Sequence, residues 1–188
     1  AGSDYGTMLY VMCHEFGYGV EKNFERVFPR LRRLALNGNV LAQFRYGRML
    51  IYGWNGTKDV ELGSRLIKGG ADSGDINCLE QLADLYLWGI SMDSDPKVAE
   101  DIYNRLVSMG WVEAYDMLGM MFCYDKDGKV KDATSFKTGY SYFMKGAELG
   151  DPGCMQSLAF IYQAGFNGKP NINVAIRWFN RAAQAGLR

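Results

Sequence analysis

Four aromatic side chains recur at a constant interval of 36 residues in this chain. They are Phe16, Tyr52, Trp88 and Tyr124, and the fifth position of the series is Ala164. Because aromatic anchors supply a large share of the energy in protein interfaces, such a series predicts a surface that holds a peptide or a loop of another protein. The alternative is that the rings of neighbouring elements stack on one another inside the core.

The residue types that perform catalysis or bind metals show no matching pattern. His14 is the single histidine, and it occupies a position in the apolar series of the first repeat. The Asp125–Gly128 segment resembles the start of a calcium loop, but it lacks the alternating oxygen ligands, and Phe136 stands near the position of the closing Glu. The sequence also lacks a nucleophile elbow, a phosphate-binding loop and zinc-ligand spacing. It therefore predicts no catalytic residue, no metal site and no cofactor.

The charge balance argues against bulk electrostatic recognition. The 188 residues carry 21 basic and 21 acidic side chains, so the formal net charge is zero. A neutral chain has no general attraction for nucleic acid or for an anionic membrane. No apolar run approaches the roughly 18 residues that a membrane span needs. The expected partner is another protein, with no nucleic acid bound and no membrane insertion.

The cysteine pattern bears on the compartment. Cys13, Cys78, Cys123 and Cys154 form no C-x-x-C pair, which argues against a metal site. Cys78 and Cys154 occupy a position that holds Ala in other repeats, so we expect small buried thiols. Unpaired thiols slightly favour the cytoplasm. Residues 1–3 read as a cloning remnant, and a signal peptide lost with the natural N-terminus would place the protein in the periplasm or outside the cell.

A repeat of about 36 residues must position all of these side chains. Glycines end five units at intervals of 36, 36, 40 and 36 residues: Gly38, Gly74, Gly110, Gly150 and Gly186. Within each unit, apolar and small residues at i, i+4, i+5 and i+8 predict one helix, and an amphipathic run after a polar loop predicts a second. Small residues allow the two helices to approach closely: Gly47, Ala83, Gly119 and Ala159. The predicted fold class is all-α, a single array over residues 4–188 with units 4–38, 39–74, 75–110, 111–150 and 151–186.

The last unit carries the residues of a known repeat: Leu158, Tyr162, Gly165, Ala175, Trp178, Phe179, Ala182, Ala183 and Gly186. Over nearly its whole length the chain resembles Sel1-like repeat proteins, relatives of the tetratricopeptide family. The first unit departs from the pattern at Val11 and His14, and Pro29 is expected to delay or kink its second helix. The resemblance implies a right-handed superhelical solenoid of about five helix pairs that interacts with other proteins.

The resemblance also implies where a partner would bind. In tetratricopeptide-like arrays, the concave wall is lined by first-helix residues that do not face the second helix. These positions give the candidate partner-binding residues: Phe16, Phe44, Arg48, Tyr52, Glu80, Asp84, Trp88, Asp116, Met120, Tyr124 and Phe160. The acidic members lie in the middle of the series and the basic member lies toward its N-terminal end, which suits a partner surface of defined polarity. An ordinary solvated face is the alternative.

Three functions are compatible with this sequence. The leading hypothesis is a non-enzymatic module that binds a partner protein in the concave groove. It would act as an inhibitor or immunity-type protein, or as a scaffold or adaptor, roles that such repeats fill in bacteria. The first alternative is a hydrolase acting within the groove, although the candidate positions offer carboxylates and no Ser/His pair. The second alternative is a structural segment of a longer solenoid.

Overall fold

The chain is helical throughout the part described by its computed structural model, which covers residues 4–54, 56, 58–90, 93–166 and 168–186. Ten helices form there: α1 (Asp4–Phe16), α2 (Phe24–Leu36), α3 (Val40–Tyr52), α4 (Val60–Asp72), α5 (Ile76–Trp88), α6 (Pro96–Ser108), α7 (Ala114–Cys123), α8 (Ala133–Glu148), α9 (Pro152–Ala164) and α10 (Ile172–Ala185). These residues form no strand, and one isolated antiparallel bridge joins Tyr124 to Val130. The all-α prediction is confirmed. The remnant predicted at residues 1–3 lies outside the described residues.

Asparagine and aspartate side chains set where most helices begin. Asn39, Asp75 and Asp151 each accept a hydrogen bond from the backbone N–H three residues later. Such an N-cap satisfies an N–H group that has no partner within the helix. Asn23 provides the same cap for α2, which begins five residues before Pro29. The expected late start of α2 is therefore wrong, because the asparagine cap fixes the start upstream of the proline.

Left-handed glycines set where the first helix of several repeats ends. Gly53, Gly89 and Gly165 cap α3, α5 and α9 with φ of 69°, 64° and 77°. A residue with a Cβ adopts this conformation at an energetic penalty, so glycine is favoured there. Helix α7 lacks such a glycine, because Asp125 stands at the equivalent position. Its cap is Tyr124, whose backbone is extended (φ −126°, ψ 150°), so α7 stops one residue earlier in the repeat.

The helices form two compact units, each larger than one repeat: residues 1–102, called the first unit below, and residues 103–188, called the second unit. Helix α6 crosses the division between them. In the first unit, each helix from α1 to α4 packs on the next helix along the chain. In the second unit, α7 packs on α8, α8 on α9 and α9 on α10, and α7 also contacts α9. Each unit has its own core, with Val11, Leu31 and Leu50 buried in the first and Phe143 and Leu158 in the second. Packing between sequential neighbours is typical of repeat proteins, and the single array over residues 4–188 stays a prediction.

Two pairs of helices approach so closely that only glycine fits between them. In the first unit, a Cβ on Gly63 of α4 would lie 2.7 Å from the carbonyl oxygen of Gly47 on α3. In the second unit, a Cβ on Gly139 of α8 would lie 2.6 Å from the carbonyl oxygen of Gly119 on α7. Real Cβ atoms essentially never come within 3.0 Å of such a neighbour. The close approach predicted from small residues is therefore a contact of backbone against backbone in these two pairs.

The buried thiols fill spaces that glycines leave in the facing helix. A Cβ on Gly70 would overlap the sulfur of Cys78, and a Cβ on Gly146 would overlap that of Cys154. Both cysteines are fully buried, whereas Cys13 is half-buried, and all four cysteines are free thiols. Burial raises the pKa of the Cys78 thiol to about 12. These cysteines therefore contribute by packing, as the sequence predicts.

We expect Gly63→Ala to reduce the free energy of unfolding by roughly 1–3 kcal/mol, because its methyl group would collide with the backbone of Gly47. Gly69→Ala is the matched control in the same helix, since the nearest atom to its Cβ would be Nε2 of Gln43 at 3.4 Å. There, the better helix propensity of alanine should stabilise the fold by about 0.5–1 kcal/mol. Urea unfolding followed by circular dichroism measures both changes. Equal effects of the two substitutions would contradict the backbone contact.

A maleimide added to the folded protein should modify Cys13 and leave Cys78, Cys123 and Cys154 unmodified. The reacting species is the thiolate, and burial both blocks the reagent and raises the thiol pKa of Cys78 and Cys123 to about 12. In denaturant, all four thiols should react without prior reduction. Intact mass spectrometry counts the additions. Rapid labelling of every thiol in the folded state, or a dependence on reductant in denaturant, would contradict this packing.

Candidate partner-binding surface

Three members of the aromatic series occupy the same place in the first unit. Phe16, Tyr52 and Trp88 are the last residues of α1, α3 and α5. Their exposed fractions are 43%, 43% and 54%, respectively. Side chains exposed to this degree do not form a buried stack in the first unit, and their role in binding a partner stays a prediction. Phe44, Arg48 and Tyr52 also follow one another at i, i+4 and i+8, which places them in one stripe along α3.

A second ring lies against two of these helix-end rings, stacked in one pair and tilted in the other. The centroids of Tyr52 and Trp54 lie 5.6 Å apart with an interplanar angle of 17°, and those of Phe16 and Tyr18 lie 5.5 Å apart. The left-handed glycine between each pair turns the chain back, so residues on either side of it meet; φ of Gly53 is 69°. Tyr18 and Trp54 were not predicted as binding residues. Their sequence signal is the recurring order aromatic–Gly–aromatic.

Two arginines of α3 lie among these rings in different electrostatic settings. Nη1 of Arg45 donates a hydrogen bond to Oε2 of Glu15 on α1 at 2.7 Å, and the guanidinium lies 5.4 Å from the ring centroid of Phe16. The guanidinium of Arg48 lies over three rings, with centroid distances of 5.3 Å to Phe44, 6.0 Å to Tyr52 and 5.2 Å to Trp54. Cations over ring faces are attracted to the negative π cloud. The ring contacts therefore hold Arg48 in place on the stripe of α3.

Helix α5 adds acidic and amide side chains next to the end of α3. Gln81 is buried, and its Nε2 donates a hydrogen bond to the hydroxyl oxygen of Tyr52 at 3.2 Å. Glu80 and Asp84 are half-buried on the same helix, which ends at Trp88. The contacts of Arg45 with α1 and of Gln81 with Tyr52 link α1, α3 and α5. We give the name first-unit surface to seven exposed and half-exposed side chains on these three helices and just after them: Phe16, Tyr18, Phe44, Arg48, Tyr52, Trp54 and Trp88.

The candidate residues of the second unit differ from one another in exposure and in the rings that they contact. Met120 on α7 and Phe160 on α9 are 44% and 51% exposed, and the ring of Phe160 meets Phe179 edge to face at 5.2 Å. Tyr124 is half-buried, and its ring meets Phe166 edge to face at 6.4 Å. Burial raises the pKa of the Tyr124 hydroxyl. Because α7 ends before Tyr124, this ring does not share the helix-end position of the three rings in the first unit.

Asp116 is held between two helices of the second unit. Its Oδ1 accepts a hydrogen bond from the hydroxyl of Ser157 on α9 at 2.7 Å. Burial raises the pKa of Asp116, the Ser157 hydrogen bond acts in the opposite direction, and the neighbouring carboxylate of Asp151 raises the pKa further. Asp151 is itself buried and accepts the N–H of Cys154 at 2.6 Å. The sequence predicted an acidic surface residue at Asp116, and the structure gives it an interior partner as well.

The single histidine of the sequence is buried and contacts its own part of the fold. His14 is buried, with its Nδ1 3.1 Å from the carbonyl oxygen of Glu21 and its ring 4.4 Å from that of Tyr10. Among the residues that the structure describes, no three His, Cys, Asp or Glu side chains cluster in a way that could hold a metal ion. None of the helices in the same residues has the length and apolar character needed to span a bilayer.

We expect Asp116→Asn to be more stable than the wild type at neutral pH, because it keeps an oxygen acceptor for Ser157 and removes a charge that burial disfavours. A carboxyl group whose pKa is raised by folding stabilises the fold as the pH falls through its folded pKa toward about 3.9. The advantage of the variant should therefore shrink on acidification. Urea unfolding at a series of pH values measures the difference.

Asp132→Asn is the control of opposite sign. Hydrogen bonds from the hydroxyl and backbone N–H of Ser135 lower the pKa of Asp132. Its contribution to stability is present above the unfolded pKa and lost as the pH falls through the folded pKa. We expect this variant to be less stable at neutral pH, with a deficit that shrinks on acidification. Finding the same sign for both variants would contradict these carboxylate environments.

The amino-acid sequence matches a protein-family model along most of its length. The model is that of the Sel1 repeat, and it matches residues 4–26, 40–68, 77–110, 112–151 and 152–187. Sel1 repeat folds generally serve as protein–protein interaction modules. Each of the last four matches spans most of one helix pair, whereas the first match covers α1 and only the start of α2.

Several solved structures share the fold. A Sel1 repeat protein from Oxalobacter formigenes is 23% identical, with 98% of this chain and 74% of that chain covered and a TM-score of 0.77. A protective antigen of uropathogenic Escherichia coli displaying an SLR fold is also 23% identical, with 98% and 39% covered and a TM-score of 0.74. An immunity protein from Pseudomonas aeruginosa is 17% identical, with 86% and 58% covered and a TM-score of 0.57. With five matched repeats over most of its length, this chain belongs to the Sel1 repeat family.

Proposed function

We propose that this chain is a non-enzymatic module that binds a partner protein, and that the first-unit surface is a main contact area. The observation that carries the proposal is the exposure of Phe16, Tyr52 and Trp88 at the same helix-end position in successive repeats. One exposed ring is common on a protein surface, but a series of rings at one structural position is a patterned apolar surface. Such surfaces are typical of interaction sites.

The energetic argument rests on the area that these rings leave accessible. An aromatic side chain buries about 150–250 Å² in a core or an interface, and burial of apolar area contributes roughly 25 cal/mol per Å². Trp88 is 54% exposed, so a partner that covers it removes much of a large ring from water. Aromatic residues are enriched in the buried centres of interfaces for this reason.

Two of the three rings are also held in place before any partner binds. Tyr52 stacks on Trp54 and its hydroxyl accepts a hydrogen bond from Gln81, whereas Phe16 contacts Tyr18 and the guanidinium of Arg45. Side chains that are already ordered lose less conformational entropy on association. This order supports a binding surface of fixed shape.

The remaining candidate residues contribute unequally to the proposal. Glu80 and Asp84 add acidic character on α5, and Met120 and Phe160 offer exposed apolar area in the second unit. Asp116 and Tyr124 are half-buried and have partners within their own unit, as described above, so we assign them a smaller part. The fold that the chain shares with an immunity protein supports including an inhibitor role beside the scaffold role.

The test compares Trp88→Ala with a matched control. The partner is first captured from an extract with the intact chain and identified by mass spectrometry, and each variant is then titrated against it by calorimetry. Trp88→Ala should lose at least about 2 kcal/mol of binding free energy, as truncation of an interface anchor does. The control is Leu36→Ala, since Leu36 also ends its helix and is 50% exposed, but it lies on α2 outside the first-unit surface.

Thermal melts of both variants check that the fold is retained. We expect Leu36→Ala to bind like the wild type. Normal binding by folded Trp88→Ala would exclude this ring as an anchor. Unfolding of the array by Trp88→Ala would show instead that the ring stabilises the fold.

A further inference from the structure

We propose that Arg48 binds a side-chain carboxylate, from an Asp or Glu, in the partner segment that covers the first-unit surface. This inference rests on the proposed function and specifies the chemistry of the partner. Arg48 lies at the centre of the stripe on α3, between Phe44 and Tyr52. Its guanidinium has aromatic neighbours and, among the residues that the structure describes, no carboxylate oxygen within 4.0 Å.

The hydrogen-bonding capacity of Arg48 is incompletely used. Its Nε is buried and has no hydrogen-bond partner among the described residues. A buried donor without a partner destabilises the state that contains it. Because the Nε is buried, a ligand on the surface would pair with the terminal N–H groups of this guanidinium, whose position the ring contacts already fix.

Arg45 differs from Arg48 in that its charge is paired with a carboxylate. It lies three residues earlier on the same helix, and its Nε is also buried without a partner. However, its Nη1 meets the carboxylate of Glu15 at 2.7 Å, so the charge is neutralised within the first unit. Arg48 has no equivalent of Glu15 among the described residues. Of the two arginines of α3, Arg48 is therefore the one without a carboxylate partner among the described residues.

The aromatic surroundings of Arg48 favour a strong pair with an incoming carboxylate. The guanidinium is planar and can present two parallel N–H groups to the two oxygens of a carboxylate. The rings of Phe44, Tyr52 and Trp54 replace water on several sides of it, and lower local polarity strengthens a charged hydrogen bond. The ring contacts also fix the orientation of the long side chain, which limits the entropy lost on binding.

The charge distribution favours a single carboxylate over a phosphate group. Arg45 is paired with Glu15, so among the described residues Arg48 is the arginine of α3 that has no carboxylate partner. Helix α5, whose Gln81 donates a hydrogen bond to Tyr52, also carries Glu80 and Asp84, and negative charges on a neighbouring helix disfavour a dianion more than a monoanion. The predicted partner segment thus carries one Asp or Glu beside an apolar or aromatic residue that packs on the Tyr52–Trp54 pair.

The experiment uses the full chain and a library of random peptides displayed on phage. Peptides are selected on the wild-type chain, and the enriched sequences are counted again on Arg48→Gln, Arg45→Gln and Trp88→Ala. The best peptide and its analogue with Gln or Asn in place of the acid are then titrated against each protein by calorimetry. Thermal melts confirm that every variant is folded under the conditions of the titration.

We expect the enriched peptides to carry an acidic residue next to an apolar or aromatic one. Arg48→Gln should weaken binding of the acidic peptide about tenfold or more, and the amide analogue should show the same loss with the wild type. The two changes together should cause little further loss, because each removes the same pair. Arg48→Lys should lie between, since lysine keeps the charge without the planar fork. Arg45→Gln should not change the preference of the chain for the acidic peptide over its amide analogue, because the charge of Arg45 is paired with Glu15.

Two results would overturn the inference, and they differ in what they say about the proposed function. Peptides that lose affinity with Trp88→Ala but lack an acidic residue, or ignore Arg48→Gln, would exclude the carboxylate and leave the aromatic surface in place. Failure to enrich any peptide that depends on Trp88 would count against both the carboxylate and the surface.

Discussion

The close approach of paired helices is the constraint on which the other features depend. At Gly47 and Gly63, and again at Gly119 and Gly139, the backbone of one helix lies against the backbone of the next with no room for a Cβ. Such a contact fixes both the separation of the two helices and their register. Because the face of α3 that carries Gly47 packs against α4, the next residue, Arg48, lies on a different face of the helix. In the first unit that other side carries the stripe through Arg48.

The ends of the helices turn this packing into a surface. A left-handed glycine stops the first helix of a repeat and turns the chain back, which is how Tyr52 comes to stack on Trp54 across Gly53. The same residue that ends the helix therefore also builds the ring pair. Where the glycine is replaced by Asp125, the helix ends earlier and Tyr124 packs inward against its own unit. One backbone position thus decides whether a ring of the series is exposed at the end of its helix or packs within its own unit.

The two units place a charged side chain in opposite settings. In the first unit, Arg48 stays at the surface over aromatic rings, and its Nε has no hydrogen-bond partner among the described residues. In the second unit, Asp116 lies between α7 and α9. There the hydrogen bond from Ser157 compensates only part of the desolvation of the carboxylate, so its pKa is raised. A cation over aromatic rings remains available to a ligand, whereas a carboxylate satisfied inside a helix interface mainly serves packing. For this reason the proposed recognition centres on the first unit.

The sequence by itself determined the repeat, the fold class and the family. These features depend on local helix geometry, which residue spacing along the chain reflects directly. The spacing in question is the period of 36 residues, with small residues at Gly47 and Gly119 and glycines at the repeat ends. The sequence also predicted the aromatic series, but it could not tell a core stack from a surface series, because both give the same spacing. It could not foresee that Trp54 would support Tyr52. Nor could it separate Arg45 from Arg48, since their difference depends on which one meets Glu15 from another helix. Exposure, ring stacking and charge compensation are set by residues brought together from separate helices, so only the tertiary structure decided them.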